Sequence, residues 1–217
     1  LCRACSVEFR DFFWGVIKMR EKNFGGGSYE QAAAEIVEVG RRLLAAGLVA
    51  GNDGNISVRL SEDEVLVTPT GVSKGELTAE RLVLVNLQGE VLEGWLKPTS
   101  ELGVHLQVYR NNLAARAVIH AHAPHATAFA LAGRTLAGCR LAEVTECLGE
   151  IPLVPYAPPG SAALALGVGE KAADYRGVLM EAHGPVTWGE DLRQALYRME
   201  ELELACKITW LANFLAK

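Results

Sequence analysis

The chain is 217 residues long and half apolar, which suits one sizeable domain with its own core and is too little for two full ones. A formal net charge of -5, with no clusters of lysine or arginine, leaves no electrostatic footprint for nucleic acid or an anionic membrane. No apolar run reaches the roughly 18 residues of a membrane span, no signal-peptide order opens the chain, and Cys2, Cys5, Cys139, Cys147 and Cys206 are odd in number and scattered. A cytoplasmic protein that works on small molecules or on copies of itself is expected.

Residues 1–28 mix aromatic and basic side chains and end in Gly25, Gly26, Gly27 and Ser28, so they read as an N-terminal extension of unknown role ahead of a domain at 29–217. Cys2 and Cys5 have C-x-x-C spacing without a second half. Ala32, Ala33, Ile36, Val39, Leu43 and Leu44 form one apolar face of a helix over residues 29–46, stopped by Gly47. Gly51 to Asn55 then make a turn-rich loop running into a strand with Ile56 and Val58. A second strand at residues 64–68 ends at Pro69, Thr70 and Gly71. Backbone N–H groups and hydroxyls at such loop ends can cradle a phosphate without lysine or arginine, and the same residues equally suit two ordinary hairpin turns. Neither a Walker A loop nor G-x-G-x-x-G occurs, so nucleotide cofactors lack support.

Residues 82–94 read as two strands joined at Gln88 and Gly89, and Pro98, Thr99 and Ser100 stand where a helix would start. Glu101 then falls in the first helical turn, where a carboxylate gains from the helix dipole, and His105 one turn on is read as packing. In "AVIHAHAPHATAFA" a buried strand sends His120 and His122 to the same face. Two strand residues advance about 6.6 Å, a gap that two imidazoles can close onto one metal ion. The same pair could instead be core histidines bonded to carbonyls. His125 is expected to cap or bond locally, and residues 126–132 to be helical. "AALALGVGEKAADY" reads as a helix, "GVLMEAHGPVTWG" as one buried strand ending in His183 and Gly184, and the final stretch as a long amphipathic helix with Leu192, Ala195, Leu196, Met199 and Leu202 on its stripe.

Three histidines at strand ends, His120, His122 and His183, make a protein ligand set that leaves a fourth coordination position open, as a catalytic metal requires. Glu101 is the candidate acid/base. With these residues in place, "GNISVR", "VTPTG", "PTSELGVH", "VIHAHAPHATA", "VPYA" and "EAHGPVTWG", in that order, resemble the class II aldolase and adducin head family, most closely its L-fuculose-1-phosphate aldolase group. The resemblance runs from Tyr29 to about Lys217. It implies an α/β fold, a three-layer α-β-α sandwich around a central, largely antiparallel sheet, and a homotetramer. By the same resemblance His120, His122 and His183 hold Zn2+, Glu101 is the catalytic acid/base, and Gly54, Asn55, Thr70, Gly71, Thr99 and Ser100 hold the substrate phosphate.

The implied activity is cleavage of a ketose 1-phosphate to dihydroxyacetone phosphate and an aldehyde through a metal-stabilised enediolate. The family also contains sugar-phosphate epimerases, which carry Asp where this chain has Glu101, dehydratases of methylthioribulose-phosphate type, and the non-catalytic adducin head, which is expected to lack the metal ligands. Two features depart from the fuculose-phosphate pattern. The regions "GCRLAEV" and "PPGS" lack the aromatic residues seen there, and no second tyrosine follows Trp210. The group that protonates the aldehyde fragment is therefore unassigned, with Tyr156 a weak candidate.

Overall fold

A computed structural model describes residues 28–136, 139 and 141–215. The Cys2 and Cys5 pair and the rest of residues 1–27 lie outside the described residues. The first helix, α1 (Tyr29–Ala45), opens where the Ser28 hydroxyl accepts the Gln31 N–H at 3.2 Å, and it buries Ala32, Ala33, Ile36, Val39 and Leu43. Strands β1 (Asn55–Arg59), β2 (Glu64–Val67), β3 (Val83–Asn86) and β4 (Val91–Glu93) follow, with two 3-10 turns between β2 and β3. Next come α2 (Leu102–Asn111), β5 (Ala117–His120), α3 (Pro124–Leu131), α4 (Ala142–Cys147), β6 (Leu153–Val154) and α5 (Ala162–Gly169). A hairpin of β7 (Gly177–Met180) and β8 (Gly184–Gly189) leads into α6 (Leu192–Leu215).

These strands form a single eight-stranded sheet in the order β4-β3-β2-β1-β5-β8-β7-β6. Every neighbouring pair is antiparallel except β6 with β7. Alternation along the strands divides the core. Ile56, Leu66, Leu84, Ile119 and Leu179 pack with α1, α3, α4 and α6 on one face. Val65, Val85, Val118, Val178 and Val186 pack with α2 and α5 on the other. Burial on both faces explains why β5 and β7 are unbroken apolar runs rather than alternating ones. Among the described residues no helix is long and apolar enough to cross a membrane.

Three sequence expectations need correction. "GVLMEAHGPVTWG" is two strands, not one. The chain reverses at residues 181–183, where the His183 N–H reaches the Met180 carbonyl at 3.0 Å and Ala182 has φ 55°. A positive φ at alanine is uncommon, so nothing in the residue type announces the turn. β5 ends at His120, leaving His122 in the connection to α3. That helix starts at Pro124 instead of residue 126, because proline is preorganised for the first helical position and has no N–H to leave unpaired.

The pairing of Asn55 with His120 places the start of β1 beside the end of β5, next to the first residues of β8. Gly54 sits at this junction with φ 73°, and a Cβ there would lie 2.8 Å from the His120 carbonyl oxygen. Gly54→Ala is therefore expected to destabilise the fold by about 1–3 kcal/mol, read as a lower urea midpoint at unchanged m-value. An unchanged midpoint would show that this approach is not tight.

Candidate active site and metal centre

The end of β5, the loop after it and the β7–β8 turn converge three imidazoles. One ligand atom from each of His120, His122 and His183 lies within 4.8 Å of the others. Modest side-chain rotation closes that spread onto a single cation with bonds of about 2.0–2.1 Å. Gly184 makes the approach possible, since a Cβ there would meet the Ala121 carbonyl oxygen at 2.8 Å and His122 Cδ2 at 3.5 Å.

His120 is 1 % exposed, and its Nδ1–H donates to the Pro185 carbonyl at 2.9 Å. That bond fixes the neutral tautomer, so Nε2 presents a lone pair to the site. Burial pushes the His120 pKa down to about 4 against the opposing pull of Glu101, and burial lowers that of His183 as well. Burial pushes the Glu101 carboxyl up, but His120, His183 and the hydrogen bond from Asn55 more than offset this and hold it below the usual range. With His120 kept neutral by burial, the Asn55 hydrogen bond is what remains to favour the carboxylate, and at neutral pH the ionised Glu101 faces the His120 lone pair. His120 Nε2 is 3.2 Å from Glu101 Oε2, and His183 Nε2 is 3.1 Å from Oε1.

A lone pair set against a carboxylate oxygen at that distance is repulsive unless positive charge joins them. Glu101 Oε1, His120 Nε2 and His183 Nδ1 are buried and make no hydrogen bond among the described residues. This donor set fits a divalent cation, and the three histidines can hold one with a coordination position left open. Glu101 itself precedes α2 as its N-cap without capping it by side chain, so its carboxylate serves the site rather than the helix terminus.

The loops read as a phosphate cradle lie at the same end of the sheet. Thr70 N–H bonds to the Lys97 carbonyl and Thr99 N–H to the Thr68 carbonyl, each at 3.1 Å, and Ile56 N–H bonds to the Thr68 hydroxyl at 3.1 Å. Gly54, Thr70, Gly71, Thr99 and Ser100 are thereby brought near the start of β1. Thr70, Gly71 and Ser100 are exposed, whereas Thr99 is buried and its hydroxyl accepts the Glu101 N–H at 3.3 Å. The Asn55 side chain turns inward, donating to Glu101 Oε2 at 3.0 Å and meeting His105 Nε2 with its oxygen.

Sequence reasoning missed several participants. Asp53 Oδ2 lies 3.3 Å from His122 Nδ1. Lys74 is 1 % exposed and donates to the Asn52 and Val72 carbonyls at 3.0 and 2.7 Å, tying the two loops together. Burial pulls its pKa down to about 8, opposed by Asp53. His125 does not bond locally: Glu203 of α6 accepts its N–H at 2.9 Å and contacts its ring Nδ1 at 2.7 Å. Polar residues two apart in β1 and four apart in α2 were the available signal for His105.

Residues 34–210 match the model of the family described as Class II Aldolase and Adducin N-terminal domain. The chain is similar to a 3-oxo-tetronate 4-phosphate decarboxylase of Pectobacterium atrosepticum, 37 % identical over 85 % of this chain and 86 % of that protein. It is also similar to an L-fuculose phosphate aldolase of Methanococcus maripaludis, 35 % identical over 82 % of this chain and 96 % of that one. A solved structure of an L-fuculose 1-phosphate aldolase superposes with a TM-score of 0.82 at 28 % identity, covering 88 % of this chain and 92 % of that one.

His105 and His120 have folded-state pKa values of about 3 and about 4, below the free value of 6.5, because burial opposes charge. As pH falls, the unfolded chain takes up these protons first. Stability of the metal-stripped protein is therefore expected to be full above about pH 6.5 and to fall towards pH 4, by up to about 1.4 kcal/mol per pH unit for each histidine. Urea unfolding across that window checks this, and a flat profile would contradict it.

Proposed function

The chain belongs to the class II aldolase and adducin family, and from that premise we propose that it is a metal-dependent lyase breaking a carbon–carbon bond beside the ketone of a short phosphorylated sugar or sugar acid. His120, His122 and His183 would hold the cation, taken to be zinc. The observation that carries the reading is the buried Glu101 carboxylate, with one unpartnered oxygen, facing two imidazole nitrogens at 3.1 and 3.2 Å. A divalent cation in this place supplies Lewis-acid chemistry, drawing negative charge onto a substrate oxygen next to the breaking bond. Glu101 carries the proton to or from the reacting carbon. Gly54, Thr70, Gly71, Thr99 and Ser100 hold the phosphate through backbone and hydroxyl donors, with Asn55 at their edge.

Two leaving groups suit this machinery. Loss of carbon dioxide from a 3-oxo-tetronate 4-phosphate and loss of an aldehyde from a ketose 1-phosphate leave the same enediolate, that of dihydroxyacetone phosphate. They differ in proton traffic. Aldehyde release needs a group to take the proton from the hydroxyl that becomes the carbonyl, whereas a departing carboxylate is already deprotonated. The segments that carry aromatic residues in fuculose-phosphate aldolases read "GCRLAEV" and "PPGS" here, and the Tyr156 side chain is 60 % exposed. We therefore place decarboxylation of a 3-oxo-tetronate 4-phosphate first. Ketose 1-phosphate cleavage is the second reading, favoured by the similarity to an L-fuculose phosphate aldolase along nearly its whole length.

Glu at position 101 opposes the epimerase reading, and three histidines together with that Glu oppose a non-catalytic, adducin-like role. A homotetramer, an α-β-α layering, an N-terminal extension at 1–28 and a catalytic domain at 29–217 complete the proposal.

With metal-loaded protein, 3-oxo-tetronate 4-phosphate is expected to yield carbon dioxide and dihydroxyacetone phosphate in equal amounts, each measured directly. Preferential turnover of a ketose 1-phosphate would reverse the order of the two readings. Glu101→Gln is expected to keep its metal and lose about 10²–10⁴-fold in turnover. A fully active variant would remove Glu101 from its role.

A further inference from the structure

Behind Glu101 a continuous line of polar side chains runs into the core between β1 and α2. Asn55 Nδ2 lies 3.0 Å from Glu101 Oε2, and Asn55 Oδ1 meets His105 Nε2. His105 Nδ1 lies 2.7 Å from the Ser57 hydroxyl, and Ser57 lies 2.7 Å from the Tyr109 hydroxyl. His105, Ser57 and Tyr109 are each 0 % exposed, so water does not compete along this line.

Chemistry at one end fixes the direction of every bond. An ionised carboxylate only accepts, so the Asn55 atom facing Glu101 is its NH2 and the atom facing His105 is its carbonyl oxygen. His105 must then carry its proton on Nε2 to donate to that oxygen. Its Nδ1 is left as an acceptor for the Ser57 O–H, and the Ser57 oxygen accepts from Tyr109. Reversing any link would set donor against donor or acceptor against acceptor. Buried polar groups left in that state cost about 1–3 kcal/mol each, so the chain holds one orientation.

We infer that His105 is a positioning residue for the reaction: its Nε2–H fixes the orientation of the Asn55 amide, and Asn55 in turn aims and anchors the Glu101 carboxylate beside the three imidazoles. This rests on the reading of Glu101 as the proton carrier. A histidine that merely filled core volume would be indifferent to which of its nitrogens carried hydrogen. The side chains around His105 give each nitrogen a separate partner. Burial pushes the His105 pKa down to about 3, so the ring stays neutral and can both donate and accept throughout the working range.

Two measurements on full-length, metal-loaded protein test the inference. Ring ¹⁵N shifts of His105 in the wild type are expected to report the Nε2–H tautomer. The Nδ1–H tautomer would overturn the inference without any variant having to fold, and this result does not depend on which substrate is turned over or on Glu101 being the proton carrier.

The second measurement is a kinetic cycle on the substrate that the wild type turns over. His105→Phe and Asn55→Ala are each expected to lower kcat by about 10–100-fold with KM little changed. The double variant should be no slower than the slower single one, because His105 acts through Asn55. His105→Gln, which keeps an N–H at the ε position, should recover most of the lost kcat. Losses that multiply in the double variant, or a glutamine no better than phenylalanine, would overturn the positioning role. Failure of the proposed function is read separately, as undiminished activity of Glu101→Gln.

Discussion

A carboxylate that is 8 % exposed stays ionised only if the protein replaces the water it has lost, and Glu101 sets that condition at the centre of this molecule. Its surroundings answer unevenly. Asn55 supplies one directed hydrogen bond, while His120, its Nδ1–H spent on the Pro185 carbonyl, brings a nitrogen without an available hydrogen. An apolar core would resolve this by protonating the acid. Here the carboxyl is held below its usual range and the His120 ring is kept neutral, so the negative charge and the lone pairs remain pointed at one volume. A divalent cation held by the three imidazoles would resolve the conflict that the side chains alone leave open.

The geometry that makes this possible comes from matched repeats. Two residues of strand advance about 6.6 Å and four residues of helix about 6.0 Å, so polar positions at those spacings stay in step along a strand packed against a helix. Asn55, Ser57 and Arg59 of β1 meet Glu101, His105 and Tyr109 across this seam, ending where the Arg59 guanidinium donates to the Tyr109 carbonyl at 3.1 Å. The seam crosses a side of the sheet otherwise packed with valine, leucine and tryptophan. Register between β1 and α2 is thus specified by polar pairs, because a slip would leave several buried groups unpaired at once.

Elements with a strong period were legible from residues alone. The apolar faces of α1 and α6 lie buried where the spacing of Ile36, Val39 and Leu43, and of Leu192, Ala195 and Met199, puts them. His120, His122 and His183 do meet, although the strand that should have carried His122 stops two residues short. The turn at residues 181–183 was not legible, since it depends on a positive φ at Ala182 that only tertiary packing selects. Lys74, Asp53 and Glu203 were missed for a related reason. Each acts on a loop or helix end distant in the chain, and long-range pairing of charged residues leaves no local pattern. The partners of His105 were hidden because periodicity identifies which side chains share a face but not what stands opposite them.

The site's economy bears on what it can transform. On the proposed reading, a cation held by the three imidazoles would stabilise charge on a carbon beside a ketone and the carboxylate would deliver one proton there, whichever group had departed. Selection of the leaving group must therefore come from outside this constellation, from a second proton acceptor if an aldehyde leaves, or from none if carbon dioxide does. The segment carrying Tyr156 reaches the surface, its backbone N–H anchored by Glu181 at 2.9 Å while the ring stays exposed. On the reading proposed above, Glu101 by itself meets the proton demand of losing carbon dioxide, whereas losing an aldehyde asks for a second acceptor.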